Sequence, residues 1–254
     1  MNVFQMAFTR LHPLESKTKH DTLIEHEAIN ILWDYLACLY KNGQVLRSFK
    51  LIKTSENYLA FVTLPENDAL DSRHNNAYVA KSLAEVKTLF ALSITPIGEN
   101  LNVIASCTCP ETPLWYMLYS DWTDEESPVV CGTCGHSVPL YNLPRILNEE
   151  EYYSALMWKQ DYQNINRLFM SGVSDRSTYR QMNSLDSQLS KNGLEICRAF
   201  ESATGIPFYY YVYHYRKYTK TPALCPVCGT DWKLTTKTFV DYKCDTCGLV
   251  ADEA

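Results

Sequence analysis

Along the first hundred residues the apolar positions switch between a two-residue and a 3.6-residue period, in the order strand, helix, strand, strand, helix, strand. Phe4, Met6 and Phe8 alternate with Val3, Gln5, Ala7 and Thr9, which predicts a first strand ending near His12 and Pro13. From Asp21 to Asn42 the apolar residues recur at steps of three and four, through Leu32, Tyr35, Leu36 and Leu39, and Asn42-Gly43 supplies a helix stop. Gln44 to Thr54 and Asn57 to Leu64 read as a hairpin turning at Ser55-Glu56. Tyr78 to Leu92 carries Val79, Leu83, Val86, Leu89 and Phe90 on one helical face, and Asn102 to Ser106 returns as a strand. This βαββαβ order predicts an α+β chain opening on a ferredoxin-like sandwich over residues 1–106.

After Cys134 helical periods take over. Asn148, with Glu151 three positions on, predicts an N-cap for a helix running to Gly172; further helices are expected over 175–190 and 194–203. Ile206 to Lys217, IPFYYYVYHYRK, is too aromatic and too β-prone for a helix. The predicted organisation is therefore a sandwich (1–106), a zinc-knuckle module (107–140), a helical segment (141–206) and an aromatic strand leading into a zinc ribbon (207–254).

With 254 residues, 46% hydrophobic, and a formal charge of −6, the composition is that of a folded chain. No apolar run approaches the roughly 20 residues of a membrane helix, and MNVFQMAFTR lacks a secretory layout, so a cytoplasmic location is expected. In that compartment ten cysteines are read as metal ligands before disulfides.

Eight of them form four pairs. Cys225-x2-Cys228 and Cys244-x2-Cys247, each followed by glycine and separated by 15 residues, match the spacing of a tetracysteine zinc ribbon. Cys107-x-Cys109 and Cys131-x2-Cys134 predict a second zinc site, with His136 as a reserve ligand. Two structural Zn2+ ions are expected, because four protein ligands leave no open coordination position. Cys38 and Cys197 sit in apolar helical patterns and are read as small buried hydrophobes.

Each zinc tetrathiolate would carry about −2, which takes the folded chain to about −10. From Cys107 to Val138 there is no Lys or Arg, whereas Glu111, Asp121, Asp124, Glu125 and Glu126 are all acidic. Asp121, Trp122, Asp124, Glu125 and Glu126 are therefore candidate contacts for a protein partner. The basic residues Arg216, Lys217, Lys220 and Lys243 are the corresponding candidates for nucleic acid, with the tyrosines at 209, 211, 213, 215 and 218 as candidate stacking surfaces. No P-loop, dinucleotide fingerprint, H-E-x-x-H or nucleophile elbow is present, and a non-enzymatic role is expected.

CTC with CGTCGHSVPLYNLP, the strand FYYYVYHYRK and the terminal CPVCG with DYKCDTCGL together resemble a bacterial zinc-ribbon family of unknown function, for which nucleic-acid binding is suggested. The resemblance implies zinc at Cys225, Cys228, Cys244 and Cys247. Two functions follow as expectations. In the first, the acidic and aromatic surfaces engage a protein partner, as an adaptor or as an immunity-type inhibitor of a basic toxin or enzyme. In the second, the C-terminal ribbon binds nucleic acid.

Overall fold

The computed structural model describes residues 1–12, 19–236 and 239–253, the side chains of 19–24 excepted. Pro13, where the first strand was expected to end, and Lys237 and Thr238, on the expected ribbon strand, lie outside the described residues.

The chain is a mixed α+β structure with two sheets. Strands β1 (Asn2–Arg10), β2 (Lys50–Lys53), β3 (Asn57–Leu64) and β4 (Phe90–Glu99) form the first, in the order β2-β3-β1-β4 with every neighbour antiparallel. Helices α1 (Lys19–Lys41) and α2 (Ala77–Leu89) pack on it. Alternation decides the buried face: Met6 and Phe8 of β1, with Tyr58, Ala60, Val62 and Leu64 of β3, meet Leu32, Tyr35, Leu36 and Leu39 of α1. α1 stops where Gly43 takes φ +77 and Gln44 N donates to the Leu39 carbonyl at 2.9 Å.

Several element boundaries differ from the sequence expectation. The strand expected over 44–54 survives only at 50–53, because the Gln44 amide is buried and donates to Ala69 O and Asn75 Oδ1, which holds the chain out of the ladder. The fourth strand starts at Phe90 and not at Asn102: α2 ends one residue earlier, and residues 90–99 pair along the whole free edge of β1. The third helix starts at Tyr153 and not at Asn148. Asn148 takes φ +57, and the Glu149 carboxylate, not the Asn148 side chain, accepts from Ser154 N.

The second sheet has the order β6-β5-β7-β9-β8, built from β5 (Tyr116–Leu118), β6 (Val129–Cys131), β7 (Phe208–Tyr211), β8 (Tyr242–Cys244) and β9 (Leu249–Ala251). β7 lies at the centre, parallel to β5 on one side and to β9 on the other, and each of those carries an antiparallel outer strand. Helices α3 (Tyr153–Met170), α4 (Asp175–Asn183) and α5 (Gln188–Thr204) share one core with Phe208, Tyr210 and Val212. α5 begins six residues before the expected position because Ser187 caps it, accepting from Ser190 N at 3.1 Å. Gly193 within it lets the helix approach the ring of Tyr210.

The lobes are tied at several points. Arg145 donates to Asn42 Oδ1 at 2.6 Å, Tyr141 to Glu66 Oε2 at 2.7 Å, and Ser106 to the Pro65 carbonyl at 2.9 Å.

Candidate metal centres and the acidic loop

The two outer strands of the second sheet each end in a cysteine that opens a knuckle. Cys131 closes β6 and Cys244 closes β8, at opposite edges. In both, the glycine four residues on, Gly135 or Gly248, takes φ near +70 and its N–H returns to the cysteine carbonyl at 2.9 and 3.0 Å. Gly229 does the same for Cys225. A side chain is strained at such φ, so glycine is the residue that lets the turn close.

Cys107, Cys109, Cys131 and Cys134 converge, as do Cys225, Cys228, Cys244 and Cys247; within each set the sulfurs all lie within 4.8 Å of one another. Cys109 and Cys131 sulfurs are 3.9 Å apart and those of Cys228 and Cys244 3.5 Å. A metal held tetrahedrally at about 2.3 Å from each thiolate needs sulfurs about 3.8 Å apart, so both donor sets fit a tetrathiolate metal ion. The separations are far beyond the ~2.05 Å of a disulfide. His136 contributes its carbonyl, which accepts from Cys131 N, and its ring is outside the cluster. Cys197 is buried in α5 and Cys38 lies in α1, both apart from the clusters.

The thiols are electrostatically unequal. Cys228 is brought down to about 6, chiefly by the Thr230 hydroxyl. For Cys131, burial opposes ionisation, yet the N–H groups of Cys134 and Thr133 and the thiols of Cys107 and Cys134 together outweigh it and bring the thiol below its usual range. Burial pushes Cys107 and Cys247 up. Four crowded sulfurs ionise together only when a cation balances them, which is the chemistry a bound metal supplies.

The acidic segment is a folded loop. Asp124 Oδ2 accepts from Asp121 N at 2.6 Å, and Asp121 Oδ1 from Thr123 N at 3.0 Å. Glu125 accepts from Ser48 Oγ at 2.5 Å, and Glu126 from Ile104 N at 2.7 Å. Burial raises Asp124 to about 6. From α3, Lys159 donates to the Glu126 carbonyl and Gln163 to the carbonyls of Asp121 and Asp124, while Asn166 accepts from Trp122 N. Lys159, Gln163 and Asn166 escaped the sequence reading; a lysine in helical register with the apolar Leu156 and Tyr162 was the available sign.

Among the basic candidates, Lys243 pairs with Asp245 and lies over the rings of Tyr209 and Trp115 at 4.4 and 5.6 Å. Arg216, Lys217 and Lys220 lie together in the stretch after β7, where Lys217 approaches the Tyr218 ring. Both faces of the aromatic strand are covered: Tyr210 faces the helices, and Tyr209 and Tyr211 are buried with Val240, partly under Leu234 and Trp115. Only Tyr215 of the five is well exposed as a large ring.

Residues 110–213 match the domain of unknown function DUF2310, residues 12–96 the domain of unknown function DUF8589 and residues 216–254 the domain of unknown function DUF8594. An uncharacterized protein of Haemophilus influenzae is 28% identical over 97% of this chain and 96% of its own length. A second from the same organism is 31% identical over 61% of this chain and 79% of its own length.

Among solved structures, SnoaB, a cofactor-independent oxygenase from Streptomyces nogalater, is 15% identical and covers 43% of this chain and 96% of its own, at a TM-score of 0.29. A protein from Bacteroides thetaiotaomicron described as a possible oxidoreductase covers 39% and 98% at 13% identity and TM-score 0.29. The expectation of a non-enzymatic protein is corrected on this finding, since structures similar to part of the chain include an oxygenase. A TM-score of 0.29 assigns no reaction to this chain. Among the described residues no helix is long and apolar enough to cross a membrane.

Proposed function

The chain belongs to the same family as the Haemophilus influenzae protein to which it is 31% identical, and we propose that it is a zinc-stapled protein whose acidic segment engages a partner protein of basic character. Zinc suits both clusters because four soft thiolates in tetrahedral reach, with no fifth His, Cys, Asp or Glu donor among the described residues, are the donor set of a structural zinc site. Cys107, Cys109, Cys131 and Cys134 would hold one ion, and Cys225, Cys228, Cys244 and Cys247 the other. The metal would supply no reaction chemistry, only rigidity and negative charge. In the other lobe, the β2-β3-β1-β4 order with two helices supports reading it as a ferredoxin-like sandwich.

One observation carries the partner reading. The segment from Cys107 to Val138, which contains no Lys or Arg, exposes the apolar Leu114 and Trp122 together with Glu111. Exposed apolar groups on a segment rich in carboxylates and without Lys or Arg of its own complement a basic protein surface. The carboxylates that fold inward, Asp124 and Glu126, shape the loop, and the outward groups would make the contact. The extended phosphate backbone of a nucleic acid, by contrast, would meet the exposed Glu111 on a segment without Lys or Arg of its own, and the aromatic strand offers few free rings for stacking.

Cross-linking in the native host followed by purification would identify the partner, and its association rate with the zinc-loaded chain would then be measured against salt. The expected result is a rate that falls as salt rises and falls further in Glu111→Lys and Trp122→Ala. A rate indifferent to both substitutions, or stoichiometric nucleic acid in place of a protein, would overturn the reading.

A further inference from the structure

Where the lobes meet, a cleft of about 410 Å³ opens between the loop after α1, the acidic loop and α3. Lys159, Gln163 and Arg167 stand four residues apart on α3 and so share one face of that helix. Arg47 enters from the other lobe, and Trp122 stands in the same wall, partly exposed.

The charge inside is unusual for so acidic a chain. Three cations, Arg47, Lys159 and Arg167, line the cleft against two carboxylates, Asp124 and Glu125. Both carboxylates already accept a hydrogen bond within their own loop contacts, from Asp121 N and Ser48 Oγ. Neither guanidinium is in an ion pair among the described residues, and Lys159 has no carboxylate at ion-pair distance. An ammonium carries three N–H donors. Lys159 is 6% exposed and gives one donor to the Glu126 carbonyl, the partner described for it.

A buried ammonium with donors to spare, and with no carboxylate at ion-pair distance, calls for a further acceptor, because a charge withdrawn from water is costly unless it is closely paired. Burial lowers Lys159 to about 8, and the nearby carboxylates of Asp124, Glu126 and Glu125 only partly oppose it. An anion placed among the three cations would reverse that cost. Guanidinium forks favour phosphate and carboxylate oxygens, and clefts between lobes are common ligand sites.

We propose that this interlobe cleft binds a small phosphorylated molecule, its phosphate held by Arg47, Lys159 and Arg167 and its remaining part lying along Trp122. The volume exceeds what inorganic phosphate fills, and an indole at the rim suits a planar ring, as in a nucleoside monophosphate. The site is separate from both sulfur clusters and does not depend on the identity of the protein partner.

Titration of the zinc-loaded full chain with adenosine monophosphate, inorganic phosphate and citrate, followed calorimetrically, tests it. Saturable binding of the nucleotide, weaker binding of phosphate, and a loss of about 100-fold in the Arg47→Gln, Arg167→Gln double variant are expected, about 10-fold for each guanidinium contact removed. Both arginines are exposed, so the variant should keep the wild-type circular dichroism. Trp122→Ala should weaken the nucleotide and leave inorganic phosphate unchanged. Absence of saturable nucleotide and phosphate binding, binding retained in the double variant, or citrate bound as tightly as the nucleotide would overturn the proposal.

Discussion

The two sheets reach order by different means. In the first, β1, β3 and β4 run for eight to ten residues in nearly continuous register, and two amphipathic helices close an aliphatic and aromatic core. In the second, no strand exceeds four residues, and both outer strands end at a cysteine cluster. Short strands contribute few ladder bonds to offset chain entropy, so a sheet of this kind needs closure from outside the ladder. The clusters sit at the two edges, where a sheet is least constrained. One lobe is held by continuous pairing and burial, and the other by stapled margins around a single central strand.

The largest effect should therefore come from metal removal. Structural zinc supplies roughly 10 kcal/mol or more per site in small zinc modules. Chelation, or Cys228→Ser together with Cys131→Ser, should release the second sheet while the first retains slow amide exchange at β1 and β3. Hydrogen exchange read by mass spectrometry would show the split. Loss of protection in both lobes together would mean that the interlobe bonds make them one cooperative unit.

Next in size is Gly193→Ala. The added methyl carbon would lie 2.3 Å from Tyr210 Cε2 and 2.7 Å from Trp158 Nε1, both in the core between α5 and β7. Overpacking of that order costs about 1–3 kcal/mol, and the better helix propensity of alanine returns less than about 1. A net loss near 2 kcal/mol is expected by urea denaturation of the zinc-loaded chain. An unchanged midpoint would show that the second lobe's core yields where the first lobe's would not.

Asn76→Ala probes the boundary itself. The Asn76 side chain caps α2 by accepting from Val79 N at 2.8 Å, and its amide donates to the Glu150 carbonyl across the lobes at 2.9 Å. Losing the cap and the bridge should cost about 1–2 kcal/mol. Asn76→Asp keeps the cap and removes the donor, so its difference from wild type reports the bridge and its difference from Asn76→Ala reports the cap. Equal stability of both variants would show that the cap contributes nothing beyond the bridge.

What could be read in advance follows the same division. Half-buried strands such as β1 announce themselves by alternation, and the cysteine spacing announces the clusters because knuckle geometry is local. The boundaries at Phe90 and Tyr153 are not local. The first is set by the free edge of β1, the second by Tyr152, whose hydroxyl donates to Leu143 O and fixes the chain before the helix. The inward folding of the acidic loop is not legible in its own sequence, because the residues that hold it, Lys159 and Gln163, lie more than thirty positions later. The covering of Tyr209 and Tyr211 depends on Leu234 and Val240 in the same way.

The smallest effect concerns pH and belongs to the second lobe. Asn183 Nδ2 lies 3.0 Å from His214 Nδ1; as a donor it makes that nitrogen the acceptor, which puts the imidazole proton on Nε2, a buried atom with no partner. Protonating Nδ1 would break this bond and add a charge where water is scarce, and burial lowers His214 to about 4 from the usual 6.5. Between those values the unfolded chain binds more protons than the folded one. Stability from this group is thus complete above about pH 6.5 and is lost as pH falls toward 4. The ring is partly exposed, which limits the loss to about 1 kcal/mol. Thiolate protonation and metal release also weaken the second lobe in acid, so the quantity to measure is a difference. Urea unfolding of wild type and His214→Gln, both zinc-loaded, at about pH 7 and pH 5.5, should show the wild type losing more stability than the variant. Parallel losses would mean that the imidazole titrates as it does in water, and that acid sensitivity resides in the sulfur clusters alone.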